Sequence, residues 1–275
     1  MKTHFWGWAL AFAAFGLLAG DARAEPTTRP LWEAGIGASG LRLPHYRGSD
    51  QAQAWALPIP YFVYRGQFLR ADRDGARAVL LEDDRLDVDL SLNASAPVDA
   101  EDNRARQGMA ALPGTLEFGP KLNLHLARDL DWKLDLRVPL RAVFSLERSP
   151  RALGWTLSPV LNLDWKAAGH DWGVQGGPLF ADQRLHQHYY GVSTGDATAQ
   201  RAAYRARGGF SGWETTFAVS RRRGDLWYGA FLRIDDVSGA RFEPSPLVRS
   251  SRQWSGGFAI AWISTRSEAT VETDD

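Results

Sequence analysis

The sequence lacks cysteine altogether, and its 32 basic side chains are balanced by 32 acidic ones. Without cysteine, the chain has no disulfide framework, no thiolate metal site and no cysteine nucleophile. Zero net charge provides no long-range field that would attract nucleic acid. The composition therefore argues against a dedicated nucleic-acid-binding protein, and the compartment has to be inferred from other features.

Long apolar runs are equally scarce. The one run near the length of a membrane helix extends from Phe5 to Gly20, after Lys2 and ahead of the small residues Ala22 and Ala24. Its 16 residues are short for a retained membrane anchor, and small residues two apart are typical of a signal-peptide cleavage site. We predict a signal peptide over residues 1–24, cleaved after Ala24, and export of the remaining chain.

Alternation of apolar and polar residues dominates the rest of the sequence. In the segment 152–166 the apolar residues, with the exception of Val160, fall on one face of an extended strand. That face carries Leu153, Trp155, Leu157, Pro159, Leu161, Leu163 and Trp165. Strands in soluble sandwiches usually run about five or six residues, whereas this segment has 15. The pattern therefore favours strands that cross a membrane at a tilt over the strands of a soluble sandwich.

Tryptophan spacing supports the same interpretation. Trp155 and Trp165 share a face ten residues apart, which is about 33 Å along a strand and about 25 Å along the membrane normal at a tilt of about 40°. Trp254 and Trp262 repeat the arrangement, and Trp132 begins another such strand. We predict that these five tryptophans belong to two aromatic girdles, although packing inside a large soluble core remains the alternative.

The predicted fold class is all-β, with residues 25–264 forming a transmembrane antiparallel β-barrel and residues 265–275 a polar, disordered tail. Twelve strands are predicted, at residues 31–43, 52–64, 67–73, 76–82, 85–95, 115–127, 131–146, 152–166, 170–182, 208–222, 225–236 and 252–264. Bacterial barrels have an even number of strands, short periplasmic turns and longer outer loops. With twelve strands and a periplasmic N-terminus, every long connection lies on the outer side; ten strands are the alternative.

Charged residues of both signs occupy the polar faces of the central strands, for example Asp87, Lys121, Asp135 and Arg137. A selective pore would tend to present a ring of one sign, whereas mixed charges pair across strands. We therefore expect an internal network that stabilises the barrel rather than a conducting path.

Short motifs recur in a characteristic order along the chain. They comprise Pro44, Tyr46, Gly48 and Ser49 in the first outer loop, Glu117, Gly119 and Pro120 in the predicted strand 115–127, and Tyr190, Gly191 and Val192 in the longest loop. This order resembles the MipA/OmpV family of outer-membrane proteins, and the resemblance covers nearly the whole mature chain.

The resemblance implies a non-enzymatic protein without cofactor or metal, located in the outer membrane of a Gram-negative bacterium among its lipids and lipopolysaccharide. It also implies a scaffold for peptidoglycan-remodelling enzymes. The partners of such a scaffold would be a murein lytic transglycosylase and a bifunctional penicillin-binding protein.

The residues themselves leave two other functions open, a narrow outer-membrane pore and, less favoured, an outer-membrane lipid hydrolase. A hydrolase would have to draw on His186, His188, Ser193 and Asp196 in the longest loop. Their spacing matches no strong catalytic or zinc pattern, so we predict no catalytic residue and interpret them as part of a polar loop. We also consider an arginine cluster at residues 201–207 as a contact for lipopolysaccharide phosphates.

Overall fold

The computed structural model describes residues 27–72 and 75–273, so the predicted signal peptide and its cleavage site at Ala24 lie outside the described residues. The regular structure of the described residues consists of β-strands and one short helix. In chain order the elements are β1 (Thr27–Pro30), β2 (Trp32–Pro44), β3 (Ala52–Arg65), β4 (Leu69–Asp72), β5 (Gly75–Glu82), β6 (Leu86–Ser95), β7 (Thr115–Arg128), β8 (Trp132–Ser145), β9 (Ala152–Leu157), β10 (Val160–Ala167), β11 (His170–Ala181), α1 (Gln183–Tyr190), β12 (Gly209–Arg223), β13 (Leu226–Asp236), β14 (Arg252–Arg266) and β15 (Thr270–Thr273).

The strands β2 to β14 form one antiparallel sheet that closes on itself, because β14 pairs with β2. Only Ser158 and Pro159 separate β9 from β10, and both strands lie between β8 and β11. Proline has no N–H to contribute to the ladder, which accounts for the break. The two pieces count as one strand, so the described residues confirm the predicted barrel of twelve antiparallel strands.

The segment after the last predicted strand differs from the expected disordered tail. β14 continues to Arg266, and β15 pairs with β1 in a separate two-stranded ribbon. Leu31 N–H, just after β1, donates to the carbonyl of Ala269 at 2.8 Å. The prediction of disorder is therefore wrong for residues 265–273, because backbone pairing with β1 orders a segment that has little apolar surface of its own.

Apolar side chains cover the outside of the barrel and polar ones its inside. Large exposed side chains on the outer wall include Ile36, Phe118, Leu140, Leu161, Phe217 and Ile260. Asp89, Asn123, Asp135, Asn162 and Asp164 are buried on the inner face. This is the reverse of a soluble sandwich, in which the apolar face forms the core.

The two ends of the barrel differ in the length of their connections. The end that carries the β1–β15 ribbon has short turns, at residues 66–68, 83–85, 129–131, 168–169 and 224–225. The opposite end carries four larger loops, which we name loop A (45–51), loop B (96–114), loop C (182–208, including α1) and loop D (237–251). Among the described residues, no helix is long and apolar enough to cross a membrane.

Candidate functional site

Loops A to D pack together into a cap over the mouth of the barrel. Loop B joins β6 to β7 and loop D joins β13 to β14, so their bases lie on opposite sides of the twelve-stranded ring. A contact between loops B and D must therefore cross the mouth.

The core of the cap is apolar. Its buried residues are Tyr46, Val98, Leu112, Tyr190, Ala206, Val237, Ala240 and Phe242, with Tyr189, Tyr204 and Val248 packed against them. Tyr190 stacks on Phe242 with ring centroids 3.6 Å apart and meets Tyr46 edge-on at 6.2 Å. Burial of each large side chain contributes about 1.5–3 kcal/mol. The cap thus has a core of its own, like that of a small soluble domain.

Hydrogen bonds satisfy the polar ends of these tyrosines. Tyr46 donates to the carbonyl of Leu247 at 2.8 Å, and Tyr190 donates to the carbonyl of Arg47 at 2.9 Å. Burial raises the pKa of Tyr46 to about 12 and raises that of Tyr190 as well. Both rings therefore stay neutral and tie loops A, C and D together.

Arg47 fastens the cap to the barrel wall. Its Nε lies 2.8 Å from the carboxylate of Asp235, and its two terminal nitrogens donate to the carbonyls of Ser211 and Trp213 at 3.1 and 3.0 Å. Arg233, two residues earlier in β13, binds the same carboxylate oxygen of Asp235 at 2.9 Å. The sequence did not identify Arg47 as a functional residue, although its position between the motif residues Tyr46 and Gly48 could have indicated it.

Helix α1 is seated on the inner face of β9. Asp182 caps the helix by accepting from Leu185 N–H at 3.0 Å, and Leu185 packs with Val143, Leu153 and Ala181. The expected common face of Leu153 and Trp155 is wrong, because Leu153 is buried under the helix while Trp155 is exposed. The cause is a register shift beside β9 and a φ of +144° at Gly154, which break the alternation.

Seven of the ten motif residues converge on the cap or its edge. Pro44 ends β2; Tyr46, Gly48 and Ser49 form loop A; Tyr190, Gly191 and Val192 lie in loop C. Gly48 has a φ of +92°, and its carbonyl accepts from Arg249 N–H at 2.7 Å, which links loop A to loop D. Ser49 accepts from the side chain of Asn103 in loop B at 3.1 Å.

The other three motif residues, Glu117, Gly119 and Pro120, lie in β7 and form part of the barrel wall. A side chain at Gly119 would meet the carbonyl oxygen of Leu140 at 2.1 Å. The glycine is therefore required by the close approach of β8, not by the cap.

The polar residues considered for hydrolysis do not come together in one catalytic arrangement. His186 is buried, and its Nδ1 lies 2.6 Å from the carbonyl of Arg207 and its Nε2 2.7 Å from the hydroxyl of Ser211. Ser193 instead donates to Asp196 at 2.6 Å within a turn. Burial lowers the pKa of His186 and lowers that of His188 to about 4. The described residues contain no cluster of His, Asp and Glu suited to a metal ion.

Ion pairs within and between neighbouring strands line the inner wall of the barrel below the cap. Arg137 lies 3.3 Å from Asp164 and 3.6 Å from Asp135, and His125 contacts the same Asp135 at 2.9 Å. Lys121 pairs with Asp89 at 3.3 Å. The expected internal network of mixed charge is present, on β6, β7, β8 and β10.

The five tryptophans predicted as girdle residues lie at two levels. Trp155 and Trp254 are near the cap, whereas Trp132, Trp165 and Trp262 are near the short turns. Trp132, Trp155, Trp254 and Trp262 are exposed on the outer wall, and Trp165 stacks on Trp172 with centroids 6.2 Å apart. Their contact with the membrane interfaces stays a prediction.

A closed antiparallel barrel with an apolar outer wall, a charged interior and long loops at one end defines the class of outer-membrane β-barrel proteins. A family model described as MltA-interacting protein MipA matches residues 36–263. The chain belongs to the MipA family, and it is an outer-membrane protein.

Two curated relatives match part of the chain. It is 34% identical to outer membrane protein OmpV of Vibrio cholerae serotype O1, and 32% identical to outer membrane protein Omp26La of Vibrio anguillarum, each over 89 residues. The matched region spans 31% of this chain and 33% of each relative's length.

Solved outer-membrane barrels show low similarity to this chain. A bacterial polysaccharide outer membrane secretin gives a TM-score of 0.41 at 8% identity, covering 85% of this chain and 99% of that one. The NanC porin gives 0.39 at 10% identity, covering 84% and 100%. The barrel assignment rests on the strand pairing of this chain.

Proposed function

We propose that this protein is a non-enzymatic outer-membrane scaffold that binds peptidoglycan-remodelling enzymes at its periplasmic end. The observation that carries the proposal is the cap, whose packed core crosses the outer mouth of the barrel. Such a core favours a closed platform over an open channel. The family description, MltA-interacting protein, supports a protein partner. A murein lytic transglycosylase and a bifunctional penicillin-binding protein are the proposed partners, and outer-membrane lipids and lipopolysaccharide surround the wall.

Ion pairs and hydrogen bonds order the surface at the periplasmic end. Arg65 and Arg222 bind the buried carboxylate of Glu33 at 2.8 and 2.6 Å, and Arg65 also donates to the carbonyl of Pro30 at 2.8 Å. These contacts tie β1, and through it the β1–β15 ribbon, to the barrel wall. A surface that is already ordered loses little conformational entropy when a partner binds.

The absence of catalysis is supported by the way the loop residues are used. A nucleophilic serine needs a histidine base within hydrogen-bond reach, on a site that substrate reaches. Ser193 is bonded to Asp196, and the pair of His186 with Ser211 is buried within the cap.

Photo-cross-linking in cells tests the scaffold. A cross-linking residue at Asp84 or at Leu130 places the probe in exposed periplasmic turns, and the same residue at Glu101 or Arg148 serves as the matched control in outer loops. Gly169 and Gly224 are poorer sites, because their φ values of +69° and +60° disfavour a side chain.

Capture of a murein hydrolase or synthase from Asp84 or Leu130, and not from the outer positions, is the expected result. Equal capture from both ends, or capture of assembly factors alone despite efficient cross-linking, would overturn the scaffold.

A further inference from the structure

The outward surface of the cap contains an open groove of about 870 Å³, between α1 and the returning part of loop C. Its lining includes Gln183, Arg184, Gln187, Thr194, Tyr204 and Arg205. The volume lies within the range of about 300–1,000 Å³ typical of sites for small molecules. The groove lies in the loops of the cap, at the end of the barrel opposite the proposed scaffold surface.

The floor of the groove is held in place by the cap. Val192 and Tyr204 exchange two backbone hydrogen bonds of 2.9 Å, and the hydroxyl of Tyr204 donates to the carbonyl of Arg241 at 3.3 Å. Arg201 donates to the carbonyls of Asp196 at 2.8 Å and of Ala105 at 3.0 Å, which joins loop C to loop B. The groove is therefore preformed, and Arg201 has a structural role rather than one of binding.

The lining has an unbalanced positive charge. Arg184 and Arg205 are exposed, and neither guanidinium has a hydrogen bond or an ion pair within the described part of the chain. No carboxylate occurs among the described lining residues. Guanidinium groups match the planar geometry of carboxylate and phosphate with two parallel hydrogen bonds.

The remaining lining groups suit a sugar. Gln183 supplies an amide and Thr194 a hydroxyl, which both donate and accept hydrogen bonds, while Gln187, whose side-chain oxygen accepts from Ala206 N–H at 2.9 Å, has its NH2 group to donate. The ring of Tyr204 offers a flat apolar surface with a polar tip. The complementary ligand is a sugar ring that has an apolar face, hydroxyl groups around its edge and an anionic substituent.

We propose that this groove binds an anionic saccharide, with Arg184 and Arg205 on its carboxylate or phosphate group and Tyr204 against its ring. Two sources supply this chemistry, the phosphorylated core of lipopolysaccharide in the same membrane and acidic glycans in the surrounding medium. The proposal does not depend on the scaffold function, which uses the other end of the barrel.

Isothermal titration calorimetry of the full protein in detergent tests the proposal. The probes are trigalacturonic acid, the phosphorylated core oligosaccharide released from lipopolysaccharide, and uncharged maltotriose. The variant Arg184→Gln with Arg205→Gln removes both cations, and Arg207→Gln with Arg249→Gln removes two exposed charges of the cap outside the groove. Ala203→Glu, at another exposed lining position, adds a repelling charge.

We expect at least one acidic probe to bind about tenfold or more tightly than maltotriose. The double variant Arg184→Gln with Arg205→Gln (the groove pair) and the variant Ala203→Glu should each raise the Kd of that probe about tenfold or more. The double variant Arg207→Gln with Arg249→Gln (the control pair) should leave the Kd within about twofold. Heat-modifiable gel mobility should show that the barrel is still folded in each variant. Binding of the core oligosaccharide alone assigns lipopolysaccharide as the source, and binding of trigalacturonic acid alone assigns a glycan of the medium. Failure of both acidic probes, or equal losses in the groove and control pairs, would overturn the proposal.

Discussion

Arg47 is the side chain that joins the cap most directly to the barrel wall. The variant Arg47→Ala would leave Asp235 to Arg233 alone and would deprive two backbone carbonyls, those of Ser211 and Trp213, of their donors. We expect the cap to lose about 2–3 kcal/mol of stability, because buried charged and polar groups lose partners. Limited proteolysis of the folded barrel should then cut the cap loops at least about tenfold faster.

Arg104→Ala is the matched control for this prediction. Arg104 pairs with Asp50 at 3.1 Å, but its side chain is 72% exposed. Exposed pairs contribute about 0–1 kcal/mol, so proteolysis should change little. If proteolysis of the cap loops is accelerated equally in Arg47→Ala and Arg104→Ala, the contacts of Arg47 do not stabilise the cap more than an exposed ion pair does.

We expect His188 to make the cap sensitive to acid. Burial, with help from Arg106 and Arg151 and against the opposing charge of Glu147, lowers its pKa from 6.5 to about 4. The neutral ring is therefore favoured in the folded cap, so its stabilising effect is present above pH 6.5 and is lost as the pH falls towards 4. Proteolysis of α1 should accelerate across this interval.

The variant His188→Gln should show a shallower pH profile, since glutamine does not titrate. A residual slope is expected, because burial also lowers the pKa of His186 on the same helix. Identical profiles for the two proteins would exclude His188 as the group responsible.

Among the strands, β9 carries α1 on its inner face, where Leu153 packs against Leu185 of the helix. A Cβ at Gly154 would lie 2.1 Å from Asp182 Oδ1, and the φ of +144° is unfavourable for any other residue. Gly154→Ala should therefore destabilise the seat by about 1–3 kcal/mol. Hydrogen exchange of the amides of residues 183–190 should be faster, and Gly195→Ala, where a Cβ has room, should leave it unchanged. Unchanged exchange in Gly154→Ala would mean that the bulge is not needed for the helix.

The strands were predictable from sequence and the cap was not. β7 and β14 follow the predicted bounds within two residues, because a period of two sustained over more than ten residues specifies both strand and register. Tyr46, Val98 and Phe242 are instead isolated apolar residues in polar loops, and no local pattern indicates that they meet. Leu153 was assigned to the wrong face because alternation is informative only where no bulge interrupts it.

Two features of the whole barrel bear on conduction. The cap crosses one mouth of the barrel, and the ion pairs of Arg137 with Asp164 and Asp135 lie along the inner wall, on the neighbouring strands β8 and β10. Opposite charges that pair along the inner wall present no field of one sign to a permeating ion. We therefore expect the intact protein to conduct ions poorly. Low conductance favours the scaffold, because a narrow pore would conduct.

Loosening the cap core should therefore raise conductance in planar bilayers. The variant Tyr190→Ala with Phe242→Ala removes two stacked rings, and each deletion should cost the cap about 3–5 kcal/mol without touching the strands. Its conductance should exceed that of the intact protein, while Phe258→Ala, which deletes an exposed ring of the outer wall, should leave it low. A large and equal conductance in all three proteins would mean that a path bypasses the cap, and would favour the narrow pore over the scaffold.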